Sequence, residues 1–539
     1  MPRLRPNTLF LSVPAATLCM LLLVAGCQPQ PAPDLAAGPV PVNAMVDVDG
    51  LGRIYFPNSG NEQAQEPFYR GVLLLHSFEF GRAAEAFREA QQADSSFALA
   101  YWGEAMTYNH PLWRDVDLEA GREALRRLAP SHAERRQRAG TPREAMYLDA
   151  VEELYVGGEE GAAGGAAEST PPKSERDRNY MEAMKKLHLS WPYDDEARTF
   201  YALSILGLTN GERDFRTYMQ AAAVAQPVFE RNPRHPGAAH YLIHSFDDPV
   251  HAPLGLPAAD AYADVAPGAG HAQHMTTHIF VALGLWERVV ENNRLAVNTI
   301  HAQRGDQDPA PWACGHYASW QHYGHLQLGQ WTDAEALMDA CYEWVQAGDV
   351  HSGQWGYFAS MRSLHLLEAA PPFGKDGAPD SLWLRWVADV PDGRSENAPD
   401  GRPDNRAVYL SGQGLALLRA GDVRGARNAL SDMPVAPAGN HVIRLQLEGL
   451  LALETGRARD GVAKLEDAAR EEAALPFAFG PPEVPKPSHE LLAEELYRMR
   501  DLDRAAQAYE SARQRTPGRR LLERGAQVVS DQLDNRSEV

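Results

Sequence analysis

The stretch that decides the fold runs from Phe68 to Ala90, FYRGVLLLHSFEFGRAAEAFREA. Gly71 sits in one amphipathic segment, Gly81-Arg82 reads as a break, and Ala83, Phe87 and Ala90 follow at helical spacing. Small residues at 71, 83 and 90 let two helices approach closely, and the ring at 87 fills the gap to the next pair. The pattern recurs near the other end as Leu492, Leu496, Ala505, Tyr509, Ala512 and Pro517. A third copy is Gly329-Gln330-Trp331 with Ala334, Met338 and Cys341, where Cys341 takes the small-residue place. Internal repetition of this kind changes how length is read. At ~100–200 residues per domain the 539 residues would make three or four units. Repeated hairpins predict one continuous stack instead.

The spacing Gly71, Ala83, Phe87, Ala90 resembles the tetratricopeptide repeat, a 34-residue helix–turn–helix unit. The resemblance implies an all-α solenoid of stacked hairpins with a concave groove. Helical runs are expected at 97–108, 143–155, 196–208, 215–230, 238–245, 271–285, 405–418, 442–454 and 461–472, and alternating strand patterns are almost absent. The expected order is a signal at 1–26, a flexible tether at 27–63, repeats at 64–156, a Gly-rich insertion at 157–174, His-rich repeats at 175–370, an irregular connector at 371–404 and further repeats at 405–534. A Pro-rich loop covers 475–487, and Ser488 is placed to cap the helix after it.

Composition narrows the partners. Lys and Arg total 51 against 72 Asp and Glu, a formal charge of −21, which argues against nucleic acid and against a grip on anionic lipid. Apolar residues at 44% allow a large core, and four Cys make no disulfide scaffold. The N-terminus has Arg3 and Arg5 before a short apolar run, Leu18 to Val24. Leu23-Val24-Ala25-Gly26-Cys27 resembles the lipobox of bacterial lipoproteins. That resemblance implies cleavage before Cys27, lipid on its sulfur and, with Gln28 next, residence on the outer membrane. The expected body is periplasm-facing and tethered by lipid alone, since no later stretch reaches the ~18 apolar residues of a span. An oxidising periplasm would permit a Cys314–Cys341 disulfide.

Twelve of the 19 His fall between His235 and His351. His240 and His244 are four apart, and His271, His274 and His278 are spaced three and four, so each set shares one helical face. With Trp286 and Trp331 aligned as openers of the second helix in a repeat, the first helices start at about Pro236 and Gly270. In tetratricopeptide proteins generally, those positions point into the groove, and the same register adds His316. Three readings stay open: His that cap carbonyls and stack on Tyr241, Trp312 and Tyr317; a transition-metal site, imidazole suiting Zn, Cu, Fe or Ni with Zn or Cu preferred here; and His that bind an anionic ligand. Asp247 and Asp248 are oxygen ligands or outer partners on one reading and a turn before Pro249 on the other. His76 and His110, 34 residues apart, read as packing beside Trp102 and Trp113 or as the end of the same trough.

His240-Tyr241-Leu242-Ile243-His244 lacks the Glu of zinc proteases, and no Gly-x-Ser-x-Gly elbow, phosphate loop or paired-Cys knuckle occurs. His274-Met275-Thr276-Thr277-His278-Ile279 resembles a His-Met-x-x-His-Ile motif of a group of large bacterial tetratricopeptide proteins, which usually has Pro-Ser where Thr276-Thr277 stand. Ala100-Tyr101-Trp102-Gly103, His110-Pro111-Leu112-Trp113 and Lys486-Pro487-Ser488-His489-Glu490 resemble the same group. The resemblance implies a fold and a site location and names no reaction. The leading functional expectation is a tethered module binding a protein or peptide partner in its groove; the alternative is a metal-binding protein or metal-dependent enzyme using the His cluster.

Overall fold

The computed structural model describes residues 35, 38, 41–156, 170–209, 213–305, 313–346, 352–369, 386, 403–435, 438–477 and 479–537. Cys27 and its flanking signal, Trp312, His351, the core of the Gly-rich insertion and nearly all of the connector lie outside them. Among the described residues, no helix is long and apolar enough to cross a membrane.

Helices dominate, and neighbours in sequence pack as antiparallel pairs. The opening hairpin joins Glu62–His76 to Phe80–Ala93, with Asn61 capping the first helix through Ala64 N–H at 3.0 Å. The break lies at Ser77–Glu79, so Gly81 is inside the second helix and not in the turn. Helices at Ala98–Met106, Leu118–Leu128, His132–Gln137, Pro142–Tyr155, Lys173–Ser190, Asp195–Leu206 and Phe215–Arg231 carry the stack forward. The pairs Pro236–Phe246 with Ala252–Val265, Gly270–Leu283 with Trp286–Arg304, and His316–Leu328 with Trp331–Gln346 follow. Helix Ser352–Ala369 leads to the last hairpins, Pro403–Arg419 with Val423–Asp432, Ala438–Glu454 with Ala458–Ala474, and Ser488–Arg498 with Leu502–Arg515, closed by Arg520–Ser537. This is the all-α solenoid of tetratricopeptide-type hairpins. The expected openers Pro236, Gly270, Trp286 and Trp331 are the first helical residues.

The small-and-aromatic code has a direct physical basis. A Cβ added at Gly103 would lie 2.3 Å from the Phe87 ring, and one at Gly71 2.8 Å from it. One ring is thus wedged between two helices that can meet only where both lack a side chain. Behind it Trp102 is fully buried with its ring edge-on to Phe56, Tyr147 and Phe200.

Phe56 corrects the expected tether. Val46–Val48 and Gly52–Ile54 form a short antiparallel hairpin, Arg53 N–H bonds the Arg234 carbonyl at 2.9 Å, and Ile54 and Phe56 are buried in the first core. Three-residue strands next to Gly and Asp are too short to show a period, which is why this piece reads as loop in the sequence. Ser488 also departs from expectation: its hydroxyl accepts from Gln446 at 2.7 Å, and its own N–H donates to Glu472 instead of being the helix cap. Cys314 and Cys341 are both buried and are joined by a disulfide, their Cα atoms 4.4 Å apart. Cys341 therefore fills the small-residue place and staples its helix as well.

Candidate metal centre

Three successive first helices, Pro236–Phe246, Gly270–Leu283 and His316–Leu328, bring six imidazoles together in two triads. His240, His244 and His271 form the first, and His274, His278 and His316 the second; in each, one ligating atom per residue lies within 4.8 Å of the others. The triads adjoin. The His244 and His278 ring centres are 6.1 Å apart, and those of His271 and His274 are 6.3 Å apart.

Hydrogen bonds fix which nitrogen carries the proton. The His240 Nδ1–H donates to the carbonyl of His76 at 2.7 Å, leaving Nε2 with a bare lone pair. The Nε2 atoms of His240, His244 and His271 are all buried without a hydrogen-bond partner. In the second triad Asn293 donates its Nδ2–H to the Val289 carbonyl at 2.8 Å, so its Oδ1 must face His274 Nδ1, 2.7 Å away. His278 Nδ1–H donates to Asp247 Oδ2 at 2.6 Å. The two Nε2 atoms of His274 and His278 then confront each other at 3.2 Å. Two lone pairs at that distance repel unless a proton or a cation sits between them.

Burial lowers the pKa of His240, His244, His271 and His274 well below the usual imidazole range, and the neighbouring imidazoles push the same way. Burial, followed by His278, pushes His316 down to about 3. Imidazoles whose Nδ1 protons are tied to a carbonyl, an amide and a carboxylate are the kind of donors, with the kind of supporting partners, that a transition metal would need. Asp247 bonds the His278 imidazole in this arrangement. Asp248 is the turn residue: it accepts from the Val250 and His251 amides at 2.9 Å and pairs with Arg213 at 2.7 Å.

The trough is not an open groove at this level. The Phe78 ring lies 4.3 Å from His240, 5.6 Å from His271 and 5.9 Å from His244, covering the first triad. Trp320 stands 4.8 Å from His274 and 4.5 Å from His278, and Tyr317 4.5 Å from His274. The covering turn is held by the His76–His240 bond and by Glu79, which accepts from the His271 amide at 3.3 Å. The chain's own first hairpin fills the concavity. A small cleft lined by Asp247, His278, Trp286, Tyr323 and Arg515 reaches the second triad at His278.

Phe78 has φ +55° at the end of its helix. Gly284 and Gly329 occupy the corresponding turns of two later hairpins at φ +69°. A bulky residue in this conformation costs of order 1–3 kcal/mol; Arg500 takes it too, at φ +66°, in the turn before Leu502–Arg515, and at Phe78 the ring so placed rests on three imidazoles. The sequence analysis missed Phe78, Asn293 and Trp320. Phe at a glycine position was the readable signal.

His76 belongs to a different cluster, with Glu196 and His235, whose ligand atoms also lie within 4.8 Å of one another but include a carboxylate. Its Nε2 is 2.7 Å from Glu196 Oε2, its Nδ1 is 3.0 Å from the Tyr241 hydroxyl, and His235 Nε2 lies 3.1 Å from the other Glu196 oxygen, although its angle is poor for a hydrogen bond. Burial alone would raise Glu196, but the two His outweigh it and hold it down to about 2. This knot ties the first hairpin to helices Asp195–Leu206 and Pro236–Phe246. His110 packs 4.2 Å from Phe80, next to the half-exposed Trp113.

Lys486 and Glu490 have a structural role. Lys486 is fully buried between Glu490 and Glu494, and Arg519 joins Glu490, at 2.8 Å, to Glu368. Burial alone would raise Glu490; Arg519 and Lys486 hold it down to about 2, while burial leaves Glu494 up at about 7. The clamp fastens the Pro-rich loop and the last helix to the middle of the stack.

No family model matches the chain, and no curated protein matches it. Solved structures match in helical-repeat build. The yeast Tom70 structure is 12% identical with a TM-score of 0.32, covering 89% of this chain and 98% of that one. The human IFIT1 dimer with m7Gppp-AAAA is 13% identical with a TM-score of 0.35, covering 86% and 89%. The P58(IPK) TPR domain is 12% identical with a TM-score of 0.21, covering 88% and 99%.

Proposed function

We propose that this chain is a metal-binding solenoid whose centre holds a transition metal on the imidazoles of His240, His244, His271, His274, His278 and His316. One observation carries the reading: the three residues of the first triad bring ligand atoms within 4.8 Å of one another, and their Nε2 atoms are buried with no hydrogen-bond partner. Leaving a buried acceptor unsatisfied costs about 1–3 kcal/mol each, and a metal ion would satisfy all three at once. Metal analysis of tag-free protein purified without chelator tests this. A bound transition metal that is lost in His240→Ala/His271→Ala, with the helical signal retained, is the expected result. Wild-type protein that neither carries nor takes up Zn, Cu, Fe or Ni overturns it.

A second reading, docking of a protein or peptide, is favoured by an apolar rim. Phe215, Val250, Leu254 and Phe479 are four of the eight large exposed hydrophobics among the described residues. Phe215 packs 4.9 Å from His251 and 5.9 Å from Phe477, beside the cleft that reaches His278. Such rims mark interaction surfaces. The lipobox at 23–27 supports placing the body on a lipid tether facing the bacterial periplasm, on the outer membrane. Cys27→Ser should release it from the membrane fraction or leave it unprocessed; a processed variant that still fractionates with outer membrane contradicts the tether.

A further inference from the structure

The two triads are more specific than a generic metal site. Resting on the reading above, we infer that they hold a pair of copper ions, three imidazoles to each, that is loaded as Cu(I) and takes dioxygen between the two metals.

The pairing comes from geometry. His274 is 5.1 Å from His278 and 4.5 Å from His316, centre to centre, and the rings of the other triad begin at 6.1 Å. His271 and His274, three apart on one helix, serve different triads, so the ions sit side by side and not in separate chambers. The identity of the metal comes from charge. Every candidate ligand is an imidazole, a donor that carries no negative charge, and the described residues place no carboxylate in either triad. Around them Asp248 is already matched by Arg213, and Glu79 lies 3.9 Å from Arg82. Asp247 is the carboxylate left to balance the ions, through His278. Two dications in so small and dry a space repel each other roughly four times as strongly as two monocations. Sites that pair dications usually answer this with bridging carboxylates, and none is present among these six ligands. Cu(I) suits three neutral nitrogens and needs no fourth ligand, and copper stands highest in divalent affinity once oxidised.

The reaction balances without a further reagent. Each Cu(I) gives up one electron, and dioxygen takes both and binds as peroxide between two Cu(II) ions. No proton moves, and the step reverses when dioxygen leaves. The cleft beside His278 and Asp247 gives a small molecule its way in, while Phe78 and Trp320 keep bulk water from the far walls.

The test uses the tag-free full chain, emptied of metal and titrated anaerobically with Cu(I) against a competing chelator, then exposed to air. Two tightly held copper ions per chain, and an oxygenated form with little or no paramagnetic resonance signal because the two Cu(II) spins couple, are expected. His316→Gln should leave one copper and turn the silent spectrum into that of an isolated Cu(II). Should that variant misfold by circular dichroism, His271→Gln gives the same reading from the other triad. Two coppers with full, uncoupled spin intensity overturn the pair. Uptake of a single ion, or zinc displacing copper, overturns the copper pair while leaving the metal site standing. No uptake of any metal removes both.

Discussion

The chain buries polar groups heavily in two places and treats them in opposite ways. At the C-terminal clamp, Lys486, Arg519, Glu368, Glu490 and Glu494 each touch an opposite charge. At the centre, six imidazoles gather with the Nδ1 protons of His240, His274 and His278 anchored by hydrogen bonds, and the Nε2 atoms of His240, His244 and His271 are buried without a partner. Matched burial of this kind holds elements together. Unmatched burial, kept in place by hydrogen-bonded neighbours and a strained Phe78, calls for an explanation, and on the proposed reading it is a metal site.

The largest contrast should come from acid. A buried imidazole with a folded pKa below its unfolded value of ~6.5 adds stability that is intact above that pH and is lost as pH falls below it. Each such group costs up to about 1.4 kcal/mol per pH unit in that window, and His240, His244, His271, His274 and His316 all titrate this way, the last down to about 3. Glu490, held at about 2, gives up its contribution only as pH falls from ~4.5, and Glu494, raised to about 7, adds stability as pH falls from 7. Hydrogen exchange on the metal-free chain should therefore show Pro236–Phe246 and Gly270–Leu283 opening at pH 5.5 while Ser488–Arg498 stays protected. Simultaneous opening would erase the distinction between the two regions.

Next in size, Arg519→Ala leaves Glu368 and Glu490 buried without their shared partner, and should cost about 3–5 kcal/mol in urea unfolding. A loss under 1 kcal/mol would show that the clamp is solvated and not a lock.

Between those regions lies the repeat packing, which was the most legible part of the sequence. Gly71, Ala83, Phe87 and Ala90 announce the hairpin because close-packed helices leave few alternatives at those places, and the repeat register correctly placed the first residues of four central helices. Gly103→Ala should cost about 1–3 kcal/mol by driving a methyl into Phe87, read as a lower thermal midpoint. The six His were legible as one face for the same reason: helical spacing is local. What closes over them was not, since His76–Glu79 reaches His240 and His271 across more than 160 residues of chain. Nor was helix Ala252–Val265 among the expected runs: it holds Pro257 within it and Pro253 in its first turn, where a missing N–H costs nothing. The hairpin at 46–54 was too short to carry a period.

The smallest stability change should accompany the largest functional one. His244→Leu replaces a buried nitrogen that has no partner with a side chain of similar size, so the metal-free chain should change by less than about 1 kcal/mol or gain stability. Metal affinity should fall sharply in the same variant. Substantial destabilisation with metal uptake unchanged would mean that the imidazole is structural.

The central claim is tested most directly by anomalous diffraction from crystals of the chain grown with copper, collected above and below the metal edge. Strong peaks among His240, His244 and His271 and among His274, His278 and His316 are the predicted result. A map without a peak at either triad, with the three Nε2 atoms of the first triad turned to ordered water or to protein donors, would contradict it.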